Sequence, residues 1–108
     1  MSGFVDFLHE AFEPFGAIRT RRMFGGHGVY HDDVMIGLVA GDELFLKVDG
    51  ATVDQFKERG LGQFQYPKGD KLVGMSYFQA PEEVYDDPDE LCYWAGLAFD
   101  AALRSNST

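Results

Sequence analysis

The sequence predicts an α+β domain in which helices flank an antiparallel sheet. Between Met23 and Val48, three short runs rich in β-branched and aromatic residues are separated by turns at His31-Asp32-Asp33 and Gly41-Asp42-Glu43. That is the pattern of an antiparallel meander. The segments before and after it repeat apolar residues at helical spacing. The predicted order is α-β-β-β-α-β-β-α, in one domain over residues 1–104 followed by a frayed tail at 105–108.

Each element has a local reason. Phe4, Phe7, Leu8, Ala11, Phe12 and Phe15 share one helical face opposite Asp6, Glu10 and Glu13, with Ser2 as N-cap and Pro14 as the stop. His9 falls on the polar flank and reads as a solvated residue. In the meander, Val34–Ala40 is apolar on both faces, which suits a central strand covered on both sides, with Gly37 leaving room for a close neighbour. Leu44, Leu46 and Val48 alternate with Phe45 and Lys47, giving one buried face. Thr52 and Gln55 form a capping-box pattern for a short helix that ends at Gly60. Strands follow at 63–66 and 72–80, joined by a turn at Pro67-Lys68-Gly69-Asp70 and closed by Pro81. Asp87-Pro88-Asp89-Glu90 is the strongest helix start, with Asp87 capping and Glu90 completing the box. The helix it opens runs to about Arg104 and is apolar nearly all round, Trp94 and Phe99 included. A single sheet face cannot cover that circumference, so deep burial or a subunit interface is expected, and with it a homodimer.

Bulk properties narrow the function classes. The 108 residues carry 18 acidic and 9 basic side chains, a formal charge of −9, and no Lys or Arg lies between Leu72 and Leu103. Long-range electrostatics therefore oppose a phosphate backbone, and nucleic-acid contact would rest on Arg19, Arg21 and Arg22. No apolar run is long enough for a bilayer, and the N-terminus lacks a signal-peptide core. Cys92 has no internal disulfide partner. These features suit a cytoplasmic, reducing setting.

Motifs of chemistry are sparse. Gly25-Gly26-His27-Gly28 leads into a strand and lacks the Lys-Ser/Thr pair of a phosphate loop, so the glycines read as a bulge or a site of close packing. His27, His31 and Asp32 are the candidates for a small-molecule or metal-binding enzyme, but along an extended strand His27 and His31 stand roughly 13 Å apart. Cys92 reads as a structural thiol. Phe24, Tyr30, Phe45, Tyr66, Tyr77 and Phe78 could stack bases, yet no cations accompany them in sequence, and core packing explains them better. No catalytic residue, metal or cofactor is assigned. Arg19, Arg21, Arg22, Lys47, Trp94 and Phe99 are the candidate interaction residues, Arg22 and Lys47 foremost as strand cations of an acidic domain.

The run Arg22-Met23-Phe24-Gly25-Gly26-His27-Gly28-Val29-Tyr30, followed by Leu44-Phe45-Leu46-Lys47-Val48-Asp49, resembles the N-terminal domain of the TfoX/Sxy family. Met75–Pro81 and the Trp94 helix extend the resemblance over roughly Phe4 to Arg104. It implies an α+β domain similar to secretion-chaperone-like folds. It also implies a regulatory protein without catalytic residues, since full-length relatives regulate natural competence with the transcription machinery and carry a further helical domain. The chain is similar to the standalone members. A protein-contact regulator is therefore the leading expectation, ahead of the ligand-site and nucleic-acid readings.

Overall fold

A computed structural model describes residues 3–23 and 25–106. Ser2, the expected first cap, and Phe24 lie outside the described residues, as do the last two positions of the tail. Among the described residues the elements are α1 (Gly3–Ala11), β1 (Arg19–Met23), β2 (Gly26–His31), β3 (Val34–Ala40), β4 (Glu43–Lys47), α2 (Val53–Glu58), β5 (Gln63–Lys68), β6 (Lys71–Gln79), a 3-10 turn (Glu82–Tyr85) and α3 (Pro88–Asn106). The fold class is α+β, as predicted. The strands form one antiparallel sheet in the order β1-β2-β3-β4-β6-β5.

One strand was not predicted. Arg19–Met23 is a strand in its own right, paired with β2 from Arg19 opposite Tyr30 to Met23 opposite Gly26. It lies at the sheet edge and none of its side chains is buried, so it carries no apolar alternation to read. Charged side chains are a usual defence of such an edge. The turns were legible because their chemistry is demanding. Asp32 and Asp33 both have positive φ (51° and 64°), as do Gly41 and Asp42 (58° and 57°). Two consecutive positive-φ residues give the hairpin turn whose twist matches the flanking strands.

All the helices cover one sheet face. Leu8 and Phe12, Phe56, and Leu91, Trp94, Ala95, Ala98 and Ala102 of the three helical segments share a core with Val29, Ile36, Val39, Leu44, Leu46 and Phe78. Val29 and Val39 sit on that face, whereas Gly28 and Leu38, paired with each other, sit on the opposite one. As its composition predicts, β3 is a central strand buried on both faces, from Ile36 to Val39, although the helices lie on one of them. Leu38, on the other face, is buried outside that core cluster.

The last helix resolves the question its composition raised. Alanines at positions 95, 98 and 102 bring α3 close to β3 and β4, and Phe56 and Phe15 flank its aromatic residues. Tyr93 and Leu103 remain 51% and 42% exposed on its outer side. The helix continues through Asn106, two residues past the predicted end. Asp87 caps it as expected, its Oδ1 accepting from the Asp89 and Glu90 amides at 3.0 and 3.3 Å. Glu90 does not close the box but accepts from Trp94 Nε1 at 3.2 Å. Thr52 likewise does not cap α2. Its hydroxyl turns back and accepts from the Asp49 amide at 3.1 Å. Gly60 ends α2 as predicted, at φ 72°, with the Gly60 and Leu61 amides returning to Lys57 and Phe56 carbonyls. No helix among the described residues is long and apolar enough to cross a membrane.

Asp49 joins the end of the sheet to the end of α3. Arg104 donates to both its oxygens, at 2.6 and 3.1 Å, and the Ala51 amide adds a third bond. The Arg104 hydrogen bonds hold the Asp49 carboxyl below its ordinary value, against a smaller opposing effect of desolvation. A carboxylate with a depressed folded-state pKa stabilises the fold above its unfolded pKa, and that contribution is lost as pH falls through the folded value. Asp49→Asn is therefore expected to cost about 1 kcal/mol at neutral pH. Thermal melts should show the difference from the parent shrinking as the pH drops below about 4.

Candidate interaction surface

The register brings side chains together on the helix-free face that sequence spacing could not connect. Cα partners in an antiparallel sheet point to the same side. One row runs Arg21, Gly28, Leu38, Phe45, Gln79 across five strands. Beside it Arg19 stands opposite Tyr30, Tyr30 opposite Met35, and Lys47 opposite Tyr77. Phe64 of β5 meets the Phe45 ring at 5.1 Å, nearly edge-on. Lys47 Nζ lies 5.2 Å from the centre of the Tyr77 ring and donates to Ser76 Oγ at 2.6 Å. Burial pushes the Tyr77 phenol above its ordinary pKa, and neighbouring Tyr30 adds to the shift.

Charge is divided between the layers. Six of the nine Lys and Arg residues lie in strands, where Glu43 is the one acidic side chain. Thirteen of the eighteen acidic residues lie in the helices, the 3-10 turn or the segments flanking them. Of the three cations outside the strands, Arg104 pairs with Asp49 and Arg59 with Glu83. On the sheet, Arg19 reaches Asp33 at 3.3 Å, but both side chains are about four-fifths exposed, so the pair is weak.

The predicted interaction residues thus separate. Arg19, Arg21 and Lys47 share the helix-free face. Arg22, opposite His27, points to the other side of the sheet edge. Trp94 is 4% exposed and spends its ring on Phe56 (4.9 Å), Tyr93 and Arg59, inside the chain. Phe99 is half-buried against Phe15 and His31.

The glycine-histidine segment has a structural role. A Cβ on Gly26 would lie 2.0 Å from the Val39 carbonyl oxygen, and one on Gly28 would meet Met23 at 2.9 Å. Gly25 has φ 76° beside the first hairpin. The glycines therefore let β2 lie close to both neighbours. His31 is held between the Phe15 and Phe99 rings, with Nδ1 donating to the Ala17 carbonyl at 2.9 Å and Nε2 3.6 Å from Asp32. His27 lies near the other end of β2 in an open depression with Val39 and Asp42. Among the described residues no three His, Cys, Asp or Glu side chains are grouped to hold a metal. A cleft of about 450 Å³ between β4 and the 3-10 turn has an acidic lining, Asp42, Glu43 and Glu82, beside Tyr85. The Tyr85 hydroxyl accepts from the Leu44 amide at 3.2 Å and anchors the turn to the sheet.

The family model described as the TfoX N-terminal domain matches residues 10–102. This chain belongs to the TfoX N-terminal domain family. Among its relatives, the DNA transformation protein TfoX1 of Aliivibrio fischeri is 30% identical over 76 residues, which are 70% of this chain and 36% of that protein. Protein Sxy of Escherichia coli is 25% identical over 93 residues, 86% of this chain and 44% of that protein. The chain thus spans less than half the length of either relative. In this TfoX N-terminal domain, the Arg22–Tyr30 run that carries the resemblance is the β1–β2 hairpin with its close-packing glycines. The Asp that ends the Leu44–Asp49 run is the anchor of Arg104.

The surface is not legible in the sequence because it depends on β1, whose side chains carry no apolar alternation. The available signal was the run of arginines at 19, 21 and 22 just before the glycines, charged residues of the kind that guard a sheet edge. Once β1 pairs with β2, the cations fall beside the aromatic residues.

Proposed function

We propose that this domain is a non-catalytic contact module in the regulation of competence for DNA uptake, working through the helix-free sheet face. The observation that carries the reading is that face itself. It gathers Tyr30, Phe45, Phe64 and Tyr77 with Arg19, Arg21 and Lys47, while the helices bury their apolar surface on the opposite side. Aromatic, methionine and arginine side chains are the types enriched at interface centres. The names of the relatives supply the process, and cytoplasmic action follows from it. Deleting the gene in its host is expected to lower competence-gene transcripts and DNA uptake together, both restored by the intact gene. Unchanged transcripts and uptake under competence-inducing conditions would overturn the reading.

The homodimer has its own basis in α3. Tyr93 and Leu103 are exposed, and Gly96 between them has open space where a side chain would stand. Sedimentation at micromolar concentration should give the dimer mass. A monomer there would remove the dimer and leave the sheet-face reading intact.

A further inference from the structure

We propose that the helix-free sheet face binds single-stranded nucleic acid, with the partly exposed Tyr30 and Phe45 offering rings to the bases and Arg19, Arg21 and Lys47 taking the phosphates. This goes beyond a protein-contact role and rests on the face alone. A sheet with helices behind it and aromatic side chains in front is a stacking platform, because every base has a π-face. The five strands from β1 to β6 span ~19 Å at the usual strand spacing, room for several nucleotides. Arg19 and Arg21 stand on β1 and Lys47 on β4. The strands contribute one carboxylate, Glu43, hydrogen-bonded to Gln79, and the exposed Asp33 of the β2–β3 turn makes only a weak pair with Arg19 that a phosphate can displace.

The net charge of −9 does not decide against it. Most of that charge lies on the helical layer, and a helix with its side chains is about 10–12 Å across. The Debye length in physiological salt is about 8 Å, so the outward carboxylates are screened from the opposite face. A second copy is a poorer occupant. A two-fold contact would set the same cations against each other, and pairing β1 with itself would align Arg19, Arg21 and Arg22 of both chains.

The test is fluorescence anisotropy with fluorescein-labelled (dT)20, (rU)20 and a 20-base-pair duplex, at about 50 and about 200 mM NaCl. Both single strands should bind at least tenfold more tightly than the duplex, whose bases are already stacked. Three phosphate contacts imply an affinity fall on the order of 15- to 20-fold between the two salts. Arg21→Gln should weaken binding and lower the salt slope by about 0.7, whereas Lys57→Gln on α2, with the same change in net charge, should not. Tyr30→Leu should cost at least fivefold with little change in the salt slope. No binding at about 100 µM protein in the lower salt would overturn the proposal. So would binding that Arg21→Gln and Lys57→Gln weaken equally. If the strands fail to bind while Arg21→Gln abolishes competence regulation, the face serves a protein and the nucleic-acid assignment is wrong.

Discussion

Gly26→Ala is expected to destabilise the domain by about 3 kcal/mol, a fall in melting temperature on the order of 15 °C. The reason is a backbone collision. The new methyl would stand 2.0 Å from the Val39 carbonyl oxygen, an atom fixed in β3 that cannot rotate away. Relief requires β2 to lift from the central strand, which breaks ladder hydrogen bonds and opens the core beneath Val29. Gly25→Ala is the matched comparison. Gly25 has φ 76° but nothing within 4 Å of its Cβ position, so only the left-handed backbone penalty applies, about 1 kcal/mol. Thermal melts of the two variants separate close approach from conformational freedom. Gly26 has no positive φ, so a loss no larger than that of Gly25→Ala would show that β2 yields to the methyl at little cost and would contradict the close-approach account.

Trp94→Ala is expected to cost about 3–5 kcal/mol. The indole fills the space between α2 and α3, edge-on to Phe56, which is itself fully buried. Removing it leaves a cavity and strands the Glu90 carboxylate that now accepts from Nε1. Trp94→Phe should recover most of the loss by refilling the ring volume. In urea the midpoint should fall at nearly constant slope, the mark of lost stability in an otherwise unchanged fold. A Trp94→Ala protein of parental stability but altered mass in solution would instead make the residue an interface side chain, as its sequence context first suggested.

The difference between what was legible and what was not follows from where the signals lie. Turns with two positive-φ residues demand Asp and Gly, and helix ends demand caps, so Asp32-Asp33, Gly41-Asp42, Gly60 and Asp87 could be read from local chemistry. β1 could not be found by hydrophobic alternation, because neither face of this edge strand is buried. The capping roles of Thr52 and Glu90 failed for a tertiary reason. Asp49 and Trp94 offered those side chains closer partners. The candidate surface depended on register. Arg21 and Phe45 are far apart in sequence and meet on one row only through the intervening pairs of Gly28 and Leu38.

On the proposed reading, the helix-free face makes the functional contact and the helical layer supports it. It is tested most directly by complementing a deletion strain with Arg19→Glu/Arg21→Glu or with Tyr93→Ser/Leu103→Ser, both expressed and folded to parental melting temperature. DNA uptake is expected to fall at least tenfold with the first variant and to stay near parental with the second. Parental uptake with the first, or a loss confined to the second, would contradict that reading.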